Sequence, residues 1–217
     1  LQEEGLSVAE CKHMLTEHFG LILKPHVTLL GIGMGSEKTL TIQGKRAVQR
    51  ADLIIGARRM ADSIREPGQP VVYEYRSDVI ADYIRNHPEY EKVVIALSGD
   101  VGFYSGAKKL KEALADYPLR FICGISSGVY FASKLQTSWD DMLLTSMHGR
   151  SLNLLDALKK SGKVFTLASD AKSIRELADF LLEYGRTDLI MSVGTNLSYP
   201  EESITTGVPA DFSAYSV

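Results

Sequence analysis

Short apolar runs separated by stretches of helical spacing constrain this chain more than any other feature. VTLLGIG (27–33), ADLIIGA (51–57), VVYEY (71–75), KVVIALS (92–98) and LRFIC (119–123) read as strands. They are brief, rich in β-branched residues and bounded by glycine or charged residues. The segments between them are predicted to be helical: a stretch reaching about Arg50 with Leu40, Ile42, Ala47 and Val48 as its apolar positions, then 58–65, 77–87 and 105–116. The second half repeats the rhythm, with helices over 127–136, 151–160 and 171–184 and strands at 142–147, KVFTLAS (163–169) and DLIMSVG (188–194). Strands alternating with helices of this length imply an α/β fold built on parallel sheet with right-handed crossovers. Ahead of the pattern, Ser7 and Glu10 form a capping-box pair that opens a helix over 8–19.

The chain has 217 residues, and domains typically run to ~100–200 residues. The economical division is a helical extension at 1–25, an N-terminal α/β domain at 26–122 and a C-terminal α/β domain at 123–217. Two such domains leave a cleft between them, the usual place for a ligand. The formal net charge of −3 offers no global field for nucleic acid or an anionic membrane, so an anionic ligand must be met by a local basic cluster. Cys11 and Cys123 stand far apart, outside any CxxC pair, which fits a reducing compartment and makes a cysteine-based metal site unexpected. The acidic start LQEEGLS lacks the basic region of a secretory signal, and no apolar run approaches a membrane span. The expectation is a cytoplasmic protein.

Gly31, Gly33 and Gly35 follow the first strand and invite a dinucleotide-binding reading. The third glycine of GxGxxG would fall on Ser36, and the ribose-reading acid would be Asp52, which precedes the second apolar run where it should follow it. A tight turn of purely structural purpose is the other simple reading. His13 and His18 lie on different sides of their helix, and HExxH, GxSxG and P-loop signatures do not occur.

Three more loops sit at strand carboxyl ends: SGDVGFYS (98–105), CGISSG (123–128) and VGTNLSYPEESI (193–204). Together with VTLLGIGMGSEKTLT (27–41), they resemble, in order and spacing, the motifs of the tetrapyrrole methylase family, over about 27–212. GARRMADS (56–63), WDD with SMHGR (139–150) and NLSYPEE (196–202) are most similar to the branch that methylates carbon 5 of a corrin precursor in cobalamin synthesis. Met34, Val101 and Cys123 stand where the family usually has proline, and Thr195 where it often has glutamate.

The resemblance implies two α/β domains of the tetrapyrrole methylase type with the cofactor cleft between them, and S-adenosylmethionine as the methyl donor. It places cofactor contacts at Ser98, Gly99, Asp100, Phe103, Ser126, Ser127, Leu167, Ala168, Gly194 and Asn196. The substrate, a macrocycle ringed with carboxylates, would meet Arg58, Arg59, His148 and Arg150, with the Gly31, Gly33, Gly35 turn admitting a flat ligand close to the backbone. His148 and Asp100 are the candidate bases, with solvent or a substrate carboxylate able to serve instead. A homodimer or larger homo-oligomer is implied, as is a partner enzyme that methylates carbon 15 and decarboxylates. A further strand is expected after Phe212, with AYSV as its start. The nearest alternative is a sibling acting on another ring carbon or on another target. A nicotinamide oxidoreductase conflicts with the position of Asp52, and a non-catalytic ligand-binding module leaves the four loop motifs unexplained.

Overall fold

A computed structural model of the chain describes Gly5, residues 8–19, 24–147 and 154–216. The chain forms two compact units, Leu1–Ile125 and Ser126–Val217. In the first, β1 (His26–Gly31), β2 (Leu53–Gly56), β3 (Val71–Tyr73), β4 (Lys92–Leu97) and β5 (Leu119–Ile122) make one sheet of order β3-β2-β4-β1-β5. Every pairing in it is parallel. Helix α1 (Val8–Phe19) precedes the sheet, and α2 (Ile42–Gln49), α3 (Arg58–Asp62), α4 (Ser77–Asn86) and α5 (Ala107–Ala113) fill the crossovers.

The direction of travel decides which face each helix covers. The chain moves toward β3 through α2 and α3, whose Val48 and Ala61 pack with Leu30, Ile54, Val94 and Ala96 on one face. It returns through α4 and α5, whose Ile80, Ile84 and Leu110 pack with Leu29, Ile55, Val93 and Ile95 on the other. Right-handed crossovers produce this opposition. Because both faces are covered, β2 is buried throughout and β4 over its four central residues. Asp52, out of place for a ribose, instead anchors the sheet. Its Oδ2 accepts the backbone N–H groups of Glu91 (3.0 Å) and Lys92 (2.9 Å) at the entry to β4.

The first crossover differs from the expected single helix. A 3-10 turn at Glu37–Thr39 comes first, then Thr41 caps α2 by accepting from the Gly44 N–H. This break resets the helical phase and leaves Ile42 74% exposed, so it is not one of the helix's core positions.

The second unit carries α6 (Ser127–Lys134), β6 (Met142–Ser146), α7 (Leu154–Lys160), β7 (Lys163–Leu167), α8 (Ala171–Glu183), β8 (Met191–Thr195) and β9 (Ser203–Gly207). β6 and β7 pair in parallel. β8 and β9 form an antiparallel ladder, which the alternation of strands and helices did not suggest. A parallel return needs a dozen or more connecting residues, whereas only 196–202 separate these strands. Pro209–Phe212 forms a 3-10 turn whose Phe212 is fully buried against Ile174 and Ala178 of α8. Residues 213–216 continue as turn and coil instead of the expected strand, and the Tyr215 carbonyl accepts from Arg175 at 2.6 Å.

Candidate functional site

In the first unit, the loops after β1, β4 and β5 meet at the carboxyl edge of the sheet. Gly33 and Gly99 exchange backbone hydrogen bonds at 3.0 and 2.8 Å. Both have left-handed φ, +70° and +67°, as does Gly35 at +96°. A Cβ at Gly31 would lie 2.7 Å from both the Gly124 nitrogen and the Gly99 carbonyl oxygen. At Gly124 it would collide with the Gly99 carbonyl oxygen and stand 2.5 Å from that of Gly31. Gly31 and Gly124 are glycine because backbone meets backbone there, and the space beside Gly33 is filled by Thr39.

Asp100 fastens this junction. Its Oδ2 accepts the Gly124 N–H at 2.9 Å and its Oδ1 the Gly102 N–H at 2.8 Å. One carboxylate therefore joins the loop after β4 to the loop after β5 and shapes its own turn. Phe103 packs edge-on against Tyr104, centroids 5.0 Å apart, while Ser98 is exposed beside buried Gly99. Next to this edge a cavity of about 290 Å³ is lined by Ala57, Met60, Ile95, Leu97, Ser98 and Tyr104 among others.

Arg58 and Arg59 occupy the first turn of α3, both exposed. The Arg58 guanidinium lies over the Tyr73 ring, 4.0 Å from its centroid. Tyr73 donates to Asp62 at 2.7 Å, and Arg65 also reaches Asp62, at 2.9 Å. The hydrogen bond to Asp62 raises the Tyr73 pKa. His148 and Arg150 lie outside the described residues.

In the second unit, Ser126 caps α6 by accepting the Val129 N–H and is 8% exposed, and Ser127 opens the helix. Gly194 on β8 leaves room for Phe131, whose ring would lie 2.7 Å from an added Cβ. Leu167 ends β7 half-buried, with Ala168 exposed beyond it. Asn196 and Ser198 take positive φ, +48° and +71°. Tyr130, Lys134 and Glu202, none of them singled out by sequence, form a cluster here. Glu202 Oε2 accepts from the Tyr130 hydroxyl (2.6 Å) and the Ser198 N–H (2.7 Å), and Oε1 pairs with the Lys134 ammonium at 2.6 Å. These partners, Lys134 foremost, hold the Glu202 carboxyl at about 2. The only signal in the sequence was Glu202's place in NLSYPEE.

Among the described residues, four buried hydroxyls have no hydrogen-bond partner: Ser36, Thr166, Ser198 and Ser213. Three adjoin expected ligand-binding positions, namely Gly35, Leu167 and the Gly194–Asn196 stretch. No group of three or more His, Cys, Asp or Glu able to hold a metal occurs among the described residues, and none of their helices is long and apolar enough to cross a membrane.

The Tetrapyrrole (Corrin/Porphyrin) Methylases profile matches residues 26–212; the chain belongs to that family and is a methyltransferase. A protein of Methanocaldococcus jannaschii named probable cobalt-precorrin-7 C(5)-methyltransferase is 30% identical over 187 residues, covering 82% of this chain and 87% of that protein. The decarboxylating precorrin-6Y C(5,15)-methyltransferase of a Sinorhizobium species is 28% identical over 197 residues, which is 88% of this chain and 47% of that protein. A solved uroporphyrin-III C-methyltransferase from Thermus thermophilus, in complex with S-adenosylhomocysteine, shares the fold with a TM-score of 0.68 at 19% identity, covering 87% of this chain and 85% of that one.

Proposed function

We propose that this methyltransferase transfers the methyl group of S-adenosylmethionine to carbon 5 of a corrin precursor of the precorrin-7 or cobalt-precorrin-7 type. The observation that carries the assignment is the match along most of its length to a relative named for that carbon. The Sinorhizobium relative's name also contains carbon 5. Its remaining activities, carbon-15 methylation and decarboxylation, we leave to a partner enzyme or domain.

The residues present fit the donor. Exposed Ser98 and the backbone around Gly99 offer polar groups at the sheet edge, and the Thr166 and Ser198 hydroxyls retain unused hydrogen-bonding capacity beside Leu167–Ala168 and Gly194–Asn196. The donor supplies an electrophilic methyl group on a sulfonium with a good leaving group already in place. What remains for the chain itself is to orient the reactants and keep water out. Asp100 serves this by fixing two loops. Both its oxygens already accept backbone N–H groups, so we assign it bracing and leave the departing proton to a substrate carboxylate or solvent. Arg58, held over the Tyr73 ring, and the adjacent Arg59 present forked cations suited to the carboxylate arms of the macrocycle.

Calorimetric titration tests the donor assignment. Saturable binding of S-adenosylhomocysteine and none of NAD is expected; binding of NAD alone would overturn it. Ser98→Arg, at an exposed position, is expected to abolish that binding with an unchanged melting temperature. Gly99 is the poorer position, since its left-handed φ and burial would unfold the edge. Turnover with methyl-labelled donor should place the label on carbon 5 by NMR, and label on another ring carbon would transfer the enzyme to a sibling activity.

A further inference from the structure

We infer that Glu202 is a positioning residue: by joining α6 to the strained loop between β8 and β9, it holds two separate cofactor-binding segments of the second unit in one arrangement. The inference rests on the proposed use of S-adenosylmethionine, because Ser126 and Ser127 at the start of α6, and Gly194 on β8 with Asn196 on the loop after it, are assigned to that ligand.

Two backbone turns, from the Tyr199 N–H to the Asn196 carbonyl and from the Glu202 N–H to the Tyr199 carbonyl, both 3.0 Å, shape part of the loop, but two of its residues sit against local preference. Asn196 and Ser198 both adopt the left-handed region at φ +48° and +71°, which is unfavourable for any residue with a side chain and less so for asparagine. The buried Ser198 hydroxyl has no partner among the described residues, a further cost. Such a conformation persists only where its surroundings over-determine it. Glu202 provides that determination within the loop itself. Its Oε2 binds the Ser198 N–H at 2.7 Å, next to the strained backbone, and the same oxygen takes the Tyr130 hydroxyl at 2.6 Å. Its Oε1 reaches Lys134 at 2.6 Å, whose ammonium also lies 5.3 Å from the Tyr130 ring centroid. Tyr130 and Lys134 are one helical turn apart on α6, so the carboxylate grips one face of that helix. Gly194 completes the attachment by admitting Phe131 of α6 against β8. Removing the carboxylate frees the Ser198 N–H and detaches the loop from α6, so that its position is no longer fixed, while the loop's two backbone turns, the β8–β9 ladder and α6 keep their own hydrogen bonds. Ligand affinity should fall much further than global stability does.

The test compares wild type, Glu202→Ala, Glu202→Gln and Tyr130→Phe by calorimetry with S-adenosylhomocysteine and by thermal melting. Wild type must bind; if it does not, the donor assignment fails, independently of the role of Glu202. Given binding, Glu202→Ala is expected to weaken it about tenfold or more, and Tyr130→Phe, which removes one of the three bonds, by a smaller factor. Glu202→Gln should recover part of the loss, since an amide oxygen can still accept from Ser198 or Tyr130 but the pairing with Lys134 is gone. In turnover, KM for the donor should rise with little change in kcat at saturating donor. Unchanged affinity in Glu202→Ala would overturn the inference. So would a lowered melting temperature with undiminished affinity in the folded fraction, or Glu202→Gln behaving like Glu202→Ala. Should Glu202→Ala fail to fold, Tyr130→Phe decides, because it deletes a single oxygen.

Discussion

Gly124 makes the strongest single-residue prediction. A methyl group there meets the backbone oxygens of Gly99 and Gly31, neither of which can swing aside as a side-chain tip can. Gly124→Ala should lower stability by about 1–3 kcal/mol or more, the ordinary cost of overpacking, as measured by denaturant unfolding. Asp100→Asn leaves one oxygen to serve two N–H donors that now hold one each. Its expected cost is about 1.5–3 kcal/mol, the range for hydrogen bonds to charged groups, with the Gly124 amide gaining hydrogen-exchange rate. For Glu202 the folded pKa, about 2, lies below the ordinary value of 4.5. The charged form is thus favoured by folding: its contribution is complete above about 4.5 and is lost as the pH falls toward about 2. An NMR titration of the Glu202 carboxyl carbon should give a midpoint near 2, and a midpoint at the ordinary value would deny the bonds to Lys134 and Tyr130. The glycines of the edge were legible in the sequence as places of close approach. What approaches was not, because a glycine emptied for a ligand and one emptied for a neighbouring loop's backbone are written with the same letter.

At the level of elements, α2 offers the cleanest check. The apolar periodicity took Ile42 as one of the helical stretch's apolar positions, but the 3-10 turn and the Thr41 cap shift the phase and expose it. Ile42→Gln should change stability by no more than about 0.5 kcal/mol, whereas Leu110→Ala in α5, 2% exposed, should cost about 2–5 kcal/mol. The central strands β2 and β4 were readable because burial on both faces writes them as continuous apolar runs; the edge strands β3 and β5 are only partly buried and were read from their short β-branched or aromatic stretches. β9 escaped notice for the opposite reason. SITTG is exposed at three of its five positions and half-buried at the other two and carries no such run; its existence follows from the antiparallel partner that lies next to it. The order of strands within the sheet could not be read either, since a strand's composition reports that it is buried and not by which neighbours.

For the molecule as a whole, a net charge of −3 opposes a polycarboxylate at long range, so on the proposed function binding falls to short-range cations, for which we have proposed Arg58 and Arg59. Raising the salt from about 0.1 to about 1 M shrinks the screening length from ~10 to ~3 Å. The KM for the macrocycle should then rise several-fold while the dissociation constant of S-adenosylhomocysteine changes by less than about twofold. A KM that falls with salt would mean that global repulsion outweighs the arginines. The sheet order bears on how the first unit comes to exist during synthesis. β1 has only β4 and β5 as neighbours, so the earliest strand of the sheet leaves the ribosome with both edges bare and can pair with nothing until Lys92–Leu97 has emerged. Before that moment β2 and β3 can pair only with each other. When β4 arrives it bridges β2 to β1 in a single step, and the nascent chain passes from an isolated two-strand ladder to a four-strand sheet.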